Sequence, residues 1–204
     1  QPRRPPGNGY CEQRGVACRC RAAAGAASFP GPAAIGRTCA RYCSGAVCHR
    51  LVEGGPFGAF DRAQRDVARL LRGDPGRETG LSAGPHGWGW VHVTRPPGAY
   101  QRLVADLHMV NATLTAAGYG PYLLCTVTGF RRGDGPQRLL LVHSPGRGTF
   151  YPFAPAAGPA SPGAPGARRR NNAVEMRVRD ALADRLPVEP DTARWFPLWD
   201  APGL

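Results

Sequence analysis

Lysine is absent from these 204 residues, and all 26 basic residues are arginine. Isoleucine occurs once, at Ile35, and asparagine at only four positions. Lys, Ile and Asn have AT-rich codons, whereas Ala, Gly, Pro and Arg, which fill more than half of the chain, have GC-rich ones. The missing lysine is therefore the mark of a GC-rich bacterial gene rather than of selection for guanidinium groups. Long apolar runs are missing too. No stretch approaches the roughly 18 apolar residues that cross a bilayer. No charged segment followed by an apolar one reads as a secretion signal. The chain starts with Gln rather than Met, as a fragment or a processed product does.

What is present fits a globular chain with a core of one domain or two small ones. Apolar residues make 42% of it and charged residues 20%. The 28 Gly and 22 Pro make about a quarter, near the low-complexity level of roughly 25–30% but with too much apolar residue for full disorder or collagen. The net charge is +12 and it is lopsided, with eight arginines against Glu12 alone in residues 1–50. A basic arm of this kind suits nucleic acid or an anionic membrane surface. It lacks the interleaved aromatics and helical period of a nucleic-acid binder, so no specific nucleic acid is expected.

Six of the seven cysteines, Cys11, Cys18, Cys20, Cys39, Cys43 and Cys48, lie in the first quarter, and Cys125 stands apart. Without a secretion signal a disulfide framework is not expected. Cys18-x-Cys20 and Cys39-x3-Cys43, with His49 as a substitute, are the residues a zinc site would use. The C-x-C spacing is not that of a finger, and the intervening Ala-Ala-Ala-Gly-Ala-Ala run offers no knuckle turn. Residues 1 to about 44 show no apolar period of 2 or 3.6. They read better as an out-of-frame translation of a GC-rich gene. The expectation is a disordered, frame-shifted or misannotated arm over 1–44 and a single domain over 45–204.

Patterns begin at Ser44. Residues 46–52 read as a strand. Residues 57–72 read as an amphipathic helix burying Phe57, Phe60, Val67, Leu70 and Leu71. Residues 73–87 read as a Gly/Pro-rich loop and 88–94 as a strand. Residues 100–117 form the clearest helix, with Gly118 at its left-handed C′ position. Strands over 122–130, 138–143 and 149–153, joined by turns, predict an antiparallel meander, and Pro152 places the last at an edge. Residues 154–167 contain only Ala, Pro, Gly and Ser and predict a flexible linker. A helix over 173–186 follows, capped by Asn171 or Asn172 with Glu175 near the capping-box position and a stripe of Val174, Val178, Ala181 and Leu182. Residues 187–204 read as an extended tail. The fold class is α+β: an antiparallel sheet of about three to five strands with helices packed on one face.

Catalytic patterns are sparse. No histidines stand at i, i+4, and Asp106 and His108 point about 200° apart on a helix, which makes both read as exposed helix residues. Cys125 reads as a small buried hydrophobe. Ser144-Pro-Gly-Arg-Gly148 lacks the phosphate-loop pattern and reads as a hairpin turn, and Ser82 and Ser161 lack the nucleophile-elbow glycines. His143 reads as structural. No catalytic, cofactor-binding or metal-binding residue is assigned. Trp195, Phe196 and Trp199 would make a sticky patch if left in solvent. They either pack back on the domain or dock on a partner.

Several strings are unusual: Asp106-Leu-His-Met-Val-Asn-Ala-Thr-Leu114, Gly118-Tyr-Gly-Pro-Tyr-Leu-Leu-Cys125 and Arg147-Gly-Thr-Phe-Tyr-Pro-Phe-Ala-Pro155. So are Asn172-Ala-Val-Glu-Met-Arg-Val-Arg-Asp-Ala-Leu182, Leu186-Pro-Val-Glu-Pro-Asp191 and Arg194-Trp-Phe-Pro-Leu-Trp-Asp-Ala-Pro-Gly-Leu204. In this order, from about Ser44 to the C-terminus, the chain resembles the PspA-associated protein family PspAB. The resemblance implies a bacterial cytoplasmic protein, peripheral at the inner membrane through its partner, phage shock protein A, the coiled-coil protein that guards that membrane under envelope stress. It brings no catalytic residues with it. The expected function is that of a non-enzymatic accessory protein acting by protein–protein contact through Trp195, Phe196 and Trp199, without cofactor. Arg168–Arg170 add attraction toward an acidic partner or anionic membrane. The alternatives are an Arg-rich nucleic-acid or anionic-membrane binder, and a zinc or thiol protein using the N-terminal cysteines.

Overall fold

The computed structural model describes residues 43–51, 59–84, 87–131, 138–156 and 168–201. Six strands form one antiparallel sheet: β1 (Cys43–Arg50), β2 (Glu78–Gly84), β3 (Trp88–Arg95), β4 (Leu123–Arg131), β5 (Arg138–Ser144) and β6 (Thr149–Phe153), in the order β2-β3-β1-β4-β5-β6. The last three make the expected meander. Helices α1 (Ala59–Leu71), α2 (Tyr100–Leu114) and α3 (Asn172–Leu182) complete an α+β domain.

Strand alternation sends neighbouring side chains to opposite faces. On one face Val47, Val91 and Val93 meet Ala63, Val67 and Leu71 of α1 and Leu103, Leu107, Val110 and Leu114 of α2. Further along, Leu139, Leu141 and Phe150 meet Val178 and Leu182 of α3. Leu141 lies opposite Thr128, which bonds Tyr100 of α2, so all three helices share this face. The other face carries Ala46, Cys48, Trp90, Cys125, Val127, Leu140, Val142, Tyr151 and Phe153. Of the described helices only α3 reaches it, through Met176. Trp195, Leu198 and Ala201 of the C-terminal segment cover it. The tail thus packs back on its own sheet.

The β6 edge is closed by three devices. The Phe150 N–H donates to Pro187 O at 2.8 Å and Glu189 N–H donates to Phe150 O at 2.8 Å, so the chain after α3 pairs beside the edge. Two residues on, Pro152 has no N–H to leave unpaired. Two further, the Ala154 N–H donates to the Glu175 carboxylate at 2.8 Å. Glu175 therefore serves the sheet and not the expected capping box. Asn171 caps α3, its side chain accepting from Val174 N–H.

Several expectations need correction. The loop over 73–87 contains β2, which makes six strands where three to five were expected. Its sequence, ETGLSAG, has no alternation to read, because as an edge strand it is mostly exposed. Leu70 is 56% exposed, since among the described side chains Ala63, Val67 and Leu71 define the buried line of α1. Helix α2 stops at Leu114, and a wider turn over Thr115–Tyr119 follows, in which Gly118 does take the left-handed φ of 89°. Ala117 and Ala181 are exposed, while Ala154 is fully buried, so no flexible linker begins there. Helix α3 ends at Leu182, and Arg185 and Leu186 N–H close a tight turn on Leu182 O. Of the arm expected over 1–44, Cys43 and Ser44 belong to β1 and residues 1–42 lie outside the described residues, as do the side chains of Phe57 and Phe60, residues 132–136 of the turn expected over 131–136, and residues 157–167.

Trp195→Ala should lower unfolding stability by about 3–5 kcal/mol, the cost of emptying a core indole site. Phe196→Ala, one residue on, should stay within about 0.5 kcal/mol of the parent. Urea denaturation of the two variants checks both.

Candidate functional site

The C-terminal segment arrives as a fixed strap. Asp191 caps the short turn Thr192–Arg194 by accepting from Ala193 N–H at 3.0 Å. The Trp195 indole Nε1 then donates to Glu189 O at 3.0 Å, and its ring stacks on Tyr151 with centroids 6.2 Å apart. Arg170 binds the strap from below: Nη1 donates to Trp195 O at 2.5 Å, Nε donates to Glu175 at 3.0 Å, and the guanidinium lies over Phe153. Trp199 meets Phe153 edge-on at 4.9 Å. Between these anchors the Tyr151 hydroxyl donates to Phe196 O at 3.2 Å.

The three aromatics singled out by the sequence therefore occupy three different environments. Trp195 is 3% exposed and Trp199 half-buried, while Phe196 is 63% exposed, with its own carbonyl pinned. Among the described residues Phe196 is the most exposed large apolar side chain. The structure holds it outward on a backbone that cannot swing away.

A second constellation escaped sequence reading. Asp106 is buried, not exposed as expected. It sits on the α2 stripe, three residues after Leu103, and that position was the available signal. Its Oδ2 accepts from Arg95 Nε at 2.7 Å, and its Oδ1 accepts from Arg95 Nη2 at 3.0 Å and Arg77 Nη1 at 2.7 Å. Asp74 closes the group by accepting from Arg95. The Arg95 hydrogen bond holds the Asp74 carboxyl below its usual range, and Asp106 and Asp74 hold Arg95 more firmly protonated against the cost of burial. Two arginines and two aspartates so tie the end of α1, the approach to β2, the end of β3 and the middle of α2 together. Both Asp106 oxygens are engaged, accepting three hydrogen bonds from two buried guanidinium groups. The group is an ion network that fixes helices to sheet.

The histidines and the remaining cysteines are drawn into the fold as well. His49, fully buried, bonds Gln64 of α1 at 2.7 Å and lies across Gly89, where any Cβ would collide with its ring. His92 Nε2 meets Ser82 Oγ at 2.6 Å across β2 and β3. His143 stacks on Phe150 at 4.6 Å, and its Nε2 is buried with no hydrogen-bond partner among the described residues. Burial pushes its pKa down to about 4 and lowers those of His49 and His92. Cys48 and Cys125 face each other across β1 and β4 in the core, and the Cys125 thiol is pushed up by its contact with Cys48 and by burial. Cys43 is half-buried and Cys11, Cys18, Cys20 and Cys39 lie outside the described residues. Ser144-Pro-Gly-Arg-Gly148 is a hairpin turn, with Arg147 and Gly148 N–H both donating to Ser144 O. Among the described residues no three His, Cys, Asp or Glu stand close enough to share a metal ion.

Comparison with known families returns PspA associated protein B, PspAB, matched over residues 34–203. The chain belongs to the PspAB family. The match starts upstream of Ser44, so the family region includes residues just before β1. It spans β1 to the strap, so the PspAB region contains both the ion network and the Phe196 presentation. No curated protein and no solved structure matches. No described helix of this PspAB family member is long and apolar enough to cross a membrane.

Asp106→Ala should destabilise the fold by about 3–5 kcal/mol, because it strands two buried guanidinium groups. Asp66→Ala, which breaks the exposed 2.9 Å pair with Arg69 on α1, should cost under about 1 kcal/mol. Thermal or chemical unfolding of both variants separates them.

Burying neutral His143 also sets a pH response. Its folded pKa of about 4 lies below the unfolded value near 6.5, so the unfolded chain binds the proton first. Stability should therefore fall as pH drops from about 6.5 to about 4, by up to about 3 kcal/mol from this residue alone. His143→Leu should flatten that part of the curve, as read from unfolding free energies at successive pH values.

Proposed function

We propose that this protein is a non-enzymatic accessory protein of the phage-shock envelope-stress response. It acts by direct contact with phage shock protein A and has Phe196 as its apolar anchor. Membership of the PspAB family supplies the partner. The carrying observation for the surface is the 63% exposed Phe196 ring, held between a buried Trp195 and a half-buried Trp199. An aromatic side chain already ordered before binding loses little entropy on docking, which is the property of an interface hot spot. Trp195 and Trp199 contribute by holding the strap, and Trp195 has no surface to offer a partner. Around the strap the exposed Arg168 and Arg194 are paired with Asp200 at 2.9 Å and Asp191 at 3.0 Å, so the contact rests on the ring rather than on charge.

The enclosed chemistry supports a binding role over an enzymatic one. The buried carboxylates of Asp106, Glu175 and Glu189 are each engaged by fixed donors. A general acid or base needs an uncommitted lone pair or proton in reach of a substrate.

Binding of the full chain to purified phage shock protein A tests the reading. Phe196→Ala should weaken it by about tenfold or more while leaving the melting temperature unchanged. Parent-like affinity in Phe196→Ala would reject the strap as the contact. Absence of binding by the parent would reject the direct-contact reading.

A further inference from the structure

Helix α1 carries a ridge that neither the core nor the strap uses. Arg62, Arg65, Arg69 and Arg72 stand at i, i+3, i+7 and i+10, the last directly after the helix's final residue. At 100° per residue they fall within an arc of about 80°. That arc is opposite the buried line of Ala63, Val67 and Leu71. All four are exposed, and Asp66, bonded to Arg69 at 2.9 Å, supplies the single ion pair on the ridge among the described residues. Successive ridge members are i, i+3 or i, i+4 neighbours of like charge, a spacing that destabilises an isolated helix. A GC-rich gene explains why these residues are Arg. It does not explain why four of them share one arc.

The spacing is that of a heptad seam, and the ridge spans about 15 Å along the axis. A facing helix with carboxylates at the same spacing would meet each guanidinium in turn, in the forked geometry that Arg offers a carboxylate. Leu70, 56% exposed, lies between the ridge and the buried line and gives such a helix an apolar shoulder. A membrane surface fits less well. The apolar face of α1 is already spent on its own sheet, so nothing remains to insert among lipids.

We infer that the outer face of α1 is a second docking surface, which receives an acidic helix of phage shock protein A. This rests on the partner named under the proposed function, and it adds a contact separate from Phe196. The ridge points away from the helix-covered face of the sheet and the strap lies on the other, so one straight helix cannot touch both.

The test is the full chain carrying Arg65→Glu and Arg72→Glu together. This changes the ridge to alternating charge and places a carboxylate four residues before Arg69, a favourable intrahelical pair. The variant should melt no lower than the parent. It should bind phage shock protein A about tenfold or more weakly at low salt, with the gap closing as salt rises. Arg65→Lys/Arg72→Lys, which keeps the charge but loses the fork, should weaken binding less than the doubly acidic variant. Parent-like binding by the doubly acidic variant would make the ridge a merely solvated face and overturn the inference while leaving the Phe196 reading intact. Loss of binding to phosphatidylglycerol vesicles, but not to phage shock protein A, would overturn it in favour of a membrane surface. A parent that binds no phage shock protein A would overturn both readings together.

Discussion

A sheet with apolar side chains on both faces must be covered on both, and most of this structure follows from that requirement. The β4-β5-β6 meander and its neighbours β1 and β3 send Val47, Val93 and Leu141 one way and Ala46, Val127 and Val142 the other. Three helices cover the first face. The second is covered mainly by the strap, whose buried residues Trp195, Leu198 and Ala201 recur every third position, with Met176 of α3 also packed against it. The backbone around the strap residues closes only local turns, Trp195 N–H on Thr192 O and Ala201 N–H on Leu198 O, so the segment is held from outside. Arg170, Tyr151 and Glu189 supply the holding. Glu175 sits under Arg170 and also closes the β6 edge, so one buried carboxylate couples the strap, α3 and the sheet.

The same accounting explains where function can reside. The interior is rich in polar groups, yet Asp106, Glu175, Glu189 and His49 are committed to partners that position secondary structure. Removing any one would leave a desolvated group unpaired, so each helps to hold the fold. The features with no internal use are outside: a phenyl ring on the strap and an arginine ridge on α1.

How much of this was legible depends on the period of each element. α2 and the meander were readable because Leu103, Leu107, Val110 and Leu114 repeat at helical spacing and the strands end at Gly- and Pro-containing turns. β2 was not, because an edge strand with Gly80, Ser82 and Ala83 has no buried face to alternate against. The strap was seen as aromatic but not as ordered, because a period of three falls between the two periods that mark strands and helices. Asp106 was hidden for a related reason. Its place on the buried stripe argued one way and its charge the other, and only the arrival of Arg77 and Arg95 from distant segments resolves the conflict. The singled-out aromatics were the right neighbourhood, but a one-dimensional reading could not separate the buried indole from the exposed phenyl ring beside it.

That separation is itself informative. With residues 195, 198 and 201 turned inward, position 196 faces out, and a strap needs only a polar or small residue there. A phenylalanine at that place lowers solubility and adds nothing to the core. The same holds for α1, where acids at two of the four ridge positions would stabilise the helix. Two independent surfaces each depart from what stability alone would choose, and they do so on opposite sides of the sheet. A protein that merely capped one partner would need one such surface. With the two contacts proposed above, a single partner has to reach both sides of the sheet.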